Sequence, residues 1–419
     1  MRDFVENPRV SCSLSGALGV VGAIDRAIPI IHAGPGCGLQ ASIGTQIDYL
    51  GGGTGCPSTN TYEKEVVFGG EDRLRETIKG SLEVMDGDLY VVLTGCTAGI
   101  IGDDVESVIR EFEDVDSPII GVETAGFKGD TYFGYTAALT AILQELPQKT
   151  ETKEKTVNFF GLVPNVDITS NGDLEEITRI LAKIGVKTNT FFYIPEGIEQ
   201  LKDSANASLN INISPWLLSG IDALYKHNFD IETLHYPGLP VGPTATSEFL
   251  RSVGNALDID ESLVEKVIAE EESYVYRYYE RALRELYRFI IVGDVNTVLG
   301  YTRYLTNDIG LIPYVTIITD NVPEKKKDDI NHVLNNLEYA RKPIIYYEDD
   351  KNKIAEIIKQ YQEYGNLIIG SSYEKEVAHE LGIFNVTLSY PCTDQHILNK
   401  THIGYRGCLT LIEDMYNNL

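Results

Sequence analysis

IPIIHAGPGCGLQ, residues 28–40, is an apolar run that ends in a glycine-rich turn holding a cysteine. The same grammar returns in LYVVLTGCTAGIIGDD, residues 89–104. Short β-rich runs bounded by turn residues suit strands buried on both faces of a parallel sheet. Further runs of this kind are SPIIGVET (117–124), VNFFGLV (157–163), FIIVGD (289–294), PYVTIIT (313–319), PIIYY (343–347) and NLIIGSS (366–372). Between them lie amphipathic stretches with helical spacing: GEDRLRETIKGSLEVM (70–85), DVESVIREFEDV (104–115), DLEEITRILAKIG (173–185) and DKNKIAEIIKQYQEYG (350–365). The alternation predicts an α/β protein of doubly wound, mostly parallel sheets with right-handed crossovers.

Working outward, QELPQKTETKEKT (144–156) is polar and helix-breaking and reads as a linker, after which a fresh strand–loop–helix unit opens. DIDESLVEKVIAEEESYVYRYYERALRELYR (258–288) reads as one long, charged, tyrosine-rich helix leading into FIIVGDVNTVLGYTRYL. These breaks predict three Rossmann-like α/β domains. The first, over 1–150, carries the cysteine turns. The second, over 151–285, ends in the long helix. The third, over 286–419, is closed by a helix in GYRGCLTLIEDMYNNL.

Composition narrows the function classes. The 419 residues are 43% hydrophobic and 23% charged, ordinary for a soluble protein, and carry a net charge of -27. Nothing supplies the cationic surface that nucleic acid needs. No apolar run approaches the roughly 20 residues that span a bilayer. MRDFVENPRV lacks the layout of a secretory signal, so the expectation is a cytoplasmic protein. Six cysteines in such a chain imply core packing, metal binding or catalysis rather than a disulfide scaffold, and no CxxC pair supports a zinc ribbon. FIIVGDVNTVLGYTRYL lacks GxGxxG, and GPGCG (34–38) is not followed by GK[ST], so a nucleotide site is not indicated.

Cys12 in VSCSLSG, Cys37 in HAGPGCGLQ and Cys96 in LTGCTAG each sit in a glycine-flanked turn. Thiolates are soft ligands, and glycine lets the backbone approach a bulky inorganic group. The three are expected to ligate an iron–sulfur cluster, with a fourth ligand from elsewhere, a second chain included. The plainer alternative is three buried cysteines in sheet-edge turns. His32, five residues before Cys37, reads either as a donor to cluster sulfur that tunes its potential or as a cap on the strand end. Asp103 and Asp104 read as a carboxylate dyad or, better, as the N-cap of the following helix. Cys56 in GGGTGCPST could add a ligand. Cys392, His396, His402 and Cys408 could be drawn as a metal site, although their spacing matches no zinc pattern. The tyrosines of SYVYRYYERALRELYR are an aromatic electron path or the packed face of a helix.

RVSCSLSGALGVVGAIDRAIPIIHAGPGCG, EKEVVFGGEDRLRETI, TGCTAGIIGDDVESV and GFKG, in that order, resemble component 1 of nitrogenase and its relatives. These include the catalytic α and β subunits, the cofactor-assembly scaffold pair and the dark-operative protochlorophyllide and chlorophyllide reductases. The resemblance is strong over 8–140 and continues in GLPVGPTATSEFL, GDVNTVLGYTRYL and THIGYRGCLTL. It implies that Cys12, Cys37 and Cys96 hold an iron–sulfur cluster between two homologous chains, of the 8Fe-7S P-cluster type or a 4Fe-4S cluster. The amides of Gly36, Gly38, Gly95 and Gly99 are then candidate donors to bridging sulfides. It implies a homologous α-type subunit as partner, in a heterotetramer, and an ATP-dependent iron protein as electron donor. The chain would relay low-potential electrons to a site on the partner; the alternative is a scaffold on which a nitrogenase-type cluster matures.

The chain departs from the family in places. The family's α subunits anchor their metal cofactor through one Cys and one His of later domains, and residues 160–380 here contain no cysteine. After GFKG the chain reads DTYFGY, without the Gln and His of those α subunits. ETAGFKG places Ala125 and Gly126 where β subunits of the molybdenum enzyme carry a serine. The second half resembles β-type chains, whereas VVGAIDRAI and EKEVVFGG read α-like. The resemblance therefore implies a compact β-type subunit that does not itself hold a catalytic cofactor.

Overall fold

The computed structural model describes residues 5–47, 55–282, 287–338 and 341–417. The first sheet contains β1 (Ala27–His32), β2 (Leu89–Thr94) and β3 (Ile119–Val122). The second contains β4 (Thr156–Phe160), β5 (Lys187–Asn189), β6 (Leu209–Asn212) and β7 (Thr233–His235). The third contains β8 (Arg288–Gly293), β9 (Ile312–Ile318), β10 (Ile344–Tyr347), β11 (Leu367–Gly370) and β12 (Phe384–Thr387). All pairings between these strands are parallel. The spatial orders are β1-β2-β3, β5-β4-β6-β7 and β10-β9-β8-β11-β12. The last two reverse direction beside β4 and β8, as doubly wound sheets do. Along the free edge of β1 runs the segment 57–61, tied by Ile31 N to Pro57 O at 2.8 Å and Thr59 N to Ile31 O at 2.9 Å.

Each apolar run singled out in the sequence forms a strand. In the first sheet the alternation resolves into two faces. Ile28, Ile30, Tyr90 and Val92 pack under Leu74, Ile78 and Val108 of the helices Glu71–Val84 and Val105–Arg110. Ile31, Val91 and Leu93 face the opposite way, towards Ala17 and Val20 of the helix Ser13–Ala23 and Leu139 of the helix Thr131–Glu145. Those two helices cross at glycines. A Cβ on Gly16 would lie 1.8 Å from the Thr131 carbonyl oxygen, and one on Gly134 would lie 1.7 Å from that of Ser13. The crossing sets the first helix, and Cys12 at its start, against Asp130.

The second sheet is built differently. Asn158, Asn189 and Asn210 are fully buried at matching positions of β4, β5 and β6. Asn189 donates to Asn158 at 2.9 Å, and Asn158 donates to Asn210 at 2.8 Å. This ladder of side-chain amides replaces part of the apolar packing.

The expected helix over 258–288 is described over Glu261–Ala282; residues 283–286 lie outside the described residues, and Arg288 already belongs to β8. The closing helix, Gly404–Asn417, packs on the helices Gly242–Ala256 and Glu261–Ala282, where the Tyr405 and Ser247 hydroxyls meet at 2.7 Å. Among the described residues no helix is long and apolar enough to cross a membrane.

The carboxyl ends of the second and third sheets meet the first turn of the helix Thr131–Glu145. Trp216, after β6, donates to Asp320, after β9, at 2.9 Å, and the Tyr132 ring stands edge-on to Trp216 at 5.6 Å. Asp294 follows β8 and caps the helix Val295–Arg303, and Asp167 lies beyond β4; both are buried. In open α/β sheets ligands bind in the crevice at these strand ends. Here aromatic and carboxyl side chains line it.

Candidate thiolate site

Three turns bring the sequence-predicted cysteines to the carboxyl edge of the first sheet. Cys12 is the extended residue (φ -79°, ψ 172°) that precedes the helix Ser13–Ala23. Its neighbours pin it from both sides. Ser13 N donates to Gly129 O and Thr131 N to Ser11 O, each at 3.0 Å. The Ser13 hydroxyl donates to the carbonyls of Thr124 (2.7 Å) and Ala125 (2.9 Å). Cys37 lies in the first turn of the helix Pro35–Ile47, just past β1, and Cys96 opens the helix Cys96–Ile101, just past β2.

The sulfurs of Cys96 and Cys12 meet at Gly126. Its amide donates to Cys96 Sγ at 3.2 Å. A Cβ there would lie 3.2 Å from Cys96 Sγ and 3.6 Å from Cys12 Sγ, and one on Gly95 would lie 3.7 Å from Cys37 Sγ. Burial pushes the Cys37 thiol up, and charge at Cys12 and Cys96 pushes it further. Three thiolates this close repel one another, and a cationic centre would relieve that repulsion. Among the described residues no three His, Cys, Asp or Glu side chains are close enough to share one metal ion. A cluster offers its ligands several irons, so three soft thiols presented from separate turns suit such a group.

The surrounding residues are placed less uniformly than the sequence suggests. The Gly95 amide is already given to His32 O (2.9 Å) and that of Gly99 to Gly95 O (3.1 Å), so neither is free for a sulfide. Gly95 matters instead for closeness: a Cβ would strike that of Ala33 at 2.4 Å. Gly38 packs against Ser58, whose hydroxyl a Cβ would meet at 2.8 Å. The Gly36 amide lies in the first helical turn, where no intrahelical acceptor exists. His32 is fully buried, with Nε2 2.9 Å from Asp103 and Nδ1 3.2 Å from Thr59. Both ring nitrogens are thus taken, leaving no N–H for a sulfur. Burial pushes its pKa down in spite of Asp103. Asp103 also accepts from Gly70 N at 2.9 Å, while Asp104 caps the next helix through Ser107 N at 3.0 Å, so the two carboxylates do not form a dyad.

The remaining cysteines stand apart. Cys56 precedes the edge segment at 57–61 and lies level with the body of β1, below the three sulfurs. Cys408 is buried in the closing helix, where its thiol donates to Tyr405 O at 3.2 Å and faces the Tyr279 hydroxyl at 3.6 Å. His402 lies between Tyr301 (2.8 Å) and Asp414 (2.7 Å). Cys392, His396, His402 and Cys408 therefore do not assemble into a site. Of the tyrosines of the long helix, Tyr274 lies under Arg406 of the closing helix and Tyr279 donates to Tyr304 at 3.1 Å, whereas Tyr276 and Tyr278 are exposed.

Sequence reasoning missed the rim. Leu39, Val67, Phe68, Ile100 and Phe127 are between 61% and 82% exposed. Leu39 and Ile100 share helices with Cys37 and Cys96, Phe127 follows Gly126, and the helix Glu63–Phe68 packs on that of Cys96. An apolar patch around a polar centre marks an interaction surface.

The profile of the family described as "Nitrogenase component 1 type Oxidoreductase" matches residues 12–419. The chain belongs to the nitrogenase component 1 family. Relatives within it include the nitrogenase molybdenum-iron protein β chain of Methanothermobacter thermautotrophicus, 24% identical over 100% of this chain and 95% of that one. The vanadium-iron protein β chain of Trichormus variabilis is 26% identical over 97% of this chain and 92% of its own length. The solved structure described as "Nitrogenase Cp1 at pH 6.5" superposes with a TM-score of 0.83 at 20% identity, covering 100% of this chain and 93% of that one. Iron–sulfur chemistry is expected of component 1 proteins, and the cysteine turns lie in the part of the chain that carries the family's motifs.

Gly126 gives this expectation a local test. In Gly126→Ala the new methyl stands 3.2 Å from Cys12 Cβ and from Cys96 Sγ, so one of the two side chains must give by a fraction of an ångström. We expect unchanged circular dichroism and a fall in bound iron after anaerobic reconstitution. Full iron content in this variant would show that a bound group does not use the space beside Gly126.

Proposed function

We propose that the chain is a cytoplasmic β-type subunit of a nitrogenase-like reductase. Its first 150 residues would form the cluster-binding domain, with Cys12, Cys37 and Cys96 as ligands. A homologous α-type subunit would cover the face, and an ATP-dependent iron protein would supply electrons. The observation that carries this reading is the coincidence of three converging thiols with an exposed apolar rim. A bound iron–sulfur cluster would supply low-potential, one-electron chemistry. The chain's own part is to present three soft donors from rigid strand–helix turns and to exclude water with Leu39, Ile100 and Phe127 once a partner covers them. Substrate reduction is assigned to the partner, because residues 160–380 carry no cysteine and Tyr132, Trp216 and buried carboxyls line the strand-end crevice without a thiolate anchor.

A maturation scaffold would use the same face, without turnover of its own. The deciding experiment is anaerobic co-purification with the α-type homologue, followed by iron quantification, EPR and a reduction assay driven by the iron protein. Iron in the complex with ATP-dependent substrate reduction supports the reductase. Iron without turnover, passed to a second apoprotein, supports the scaffold. A stable, cluster-loaded monomer would overturn both.

A further inference from the structure

The chain just before Cys12 lies on the third sheet, not the first. Asp350, beyond β10, accepts Glu6 N at 2.7 Å and Asn7 N at 3.1 Å. Lys351 N donates to Asn7 O and Arg9 N to Asp349 O, each at 3.0 Å. The Arg9 and Glu374 side chains are 1% and 2% exposed, and the guanidinium fork meets the carboxylate at 2.6 and 3.1 Å. Arg9 also donates to Tyr390 O (2.8 Å) and the Ser389 hydroxyl (3.2 Å). Glu374 is held in turn by the Ser371 amide (2.6 Å) and hydroxyl (2.7 Å). Loops beyond β10, β11 and β12 thus converge on residues 6–9. Glu6, Asn7 and Pro8 are exposed, so little apolar burial secures the segment. Besides these bonds to Asp349, Asp350 and Lys351, the buried side-chain anchor of the segment is the Arg9 pair.

We propose that the Arg9–Glu374 pair positions Cys12, by fixing the flank that enters the cysteine to the third sheet while Ser11 and Ser13 fix the cysteine to the first. The consequence for a cluster rests on the reading of Cys12 as a ligand. The placement of that sulfur then depends on how the third sheet is seated against the first, a dependence that Cys37 and Cys96 do not share, since each follows a strand of the first sheet directly.

The test compares Arg9→Met, Arg9→Lys and the charge-free pair Arg9→Met with Glu374→Gln in the full chain. The double variant guards against unfolding caused by a lone buried charge. The metal-free chain is followed by amide hydrogen exchange, and the reconstituted complex by iron content and EPR. Release of the anchor opens the segment locally. We expect exchange across 10–14 to rise at least about tenfold in both methionine variants, with partial rescue by lysine and no change across 35–38 or 95–99. The EPR signal of the complex should broaden in parallel. Faster exchange confined to 6–9, with 10–14 unchanged, would overturn the proposal, because the bonds of Ser11 and Ser13 would then suffice. Faster exchange across 10–14 with iron and EPR unchanged would leave the positioning role standing and remove Cys12 as a ligand.

Discussion

Cys37→Ala is expected to strip iron from the complex and abolish its reductase activity while leaving a folded chain. Cys37 lies in the first turn of a helix, half-buried at the edge of the core. Alanine is the best helix former, and removal of one sulfur there opens no cavity of consequence. The thermal midpoint should stay within about 3 °C of the wild type, since a change below 1 kcal/mol moves a large chain little. The loss at the site is of another order. Groups that merely orient metal ligands cost about 10- to 100-fold when removed, so loss of a ligand should cost more than about 100-fold. Iron quantification and the reduction assay read the effect. Insoluble protein would assign Cys37 to packing, and full iron with full activity would refute ligation.

Gly134→Ala should have the largest effect on stability. The added methyl would sit 1.7 Å from the Ser13 carbonyl oxygen. That atom is backbone of the opposing helix, so no rotamer change can clear it, and the two helices must part. Overpacking of side chains costs about 1–3 kcal/mol; a backbone collision belongs at or above the top of that range. We expect at least about 3 kcal/mol lost in denaturant unfolding. Displacement of Ser13 carries Cys12 with it, so bound iron should fall as well. Unfolding within about 0.5 kcal/mol of the wild type, the span of a neutral surface substitution, would show that the crossing is looser than described.

How much of this could be read from the chain depended on where each residue's partner lies. Apolar runs such as LYVVLTG announce a buried strand because the reason is local, in their own composition. β5, β6, β7 and β12 were not legible. Their sequences KTN, LNIN, TLH and FNVT are short and hold few of the apolar residues that mark the longer runs. In β5 and β6 they become strands because neighbouring strands supply amide partners, as Asn158 does for Asn189. The cysteine turns were legible for the same local reason as the long runs. Gly126 and Gly134 were not: what approaches Gly126 is Cys12, and what approaches Gly134 is Ser13, each more than a hundred residues away in the chain. Arg9 and Glu374 lie 365 positions apart, and nothing near either one names the other. His32 shows the opposite failure. Its sequence neighbourhood points to the cysteines, yet the folded ring turns to Asp103 and Thr59.

The buried amides of the second sheet bear on how the chain avoids misfolding. β5 is three residues long, too short for its side-chain pattern to choose an alignment by itself. Asn158 is flanked in β4 by Val157 and Phe159. A slip by one position would set the amide of Asn189 against one of these and lose its bond to Asn158, at about 1–3 kcal/mol for each group newly stranded. The asparagines thus act as a key code between strands, rejecting wrong alignments that a purely oily interior would accept.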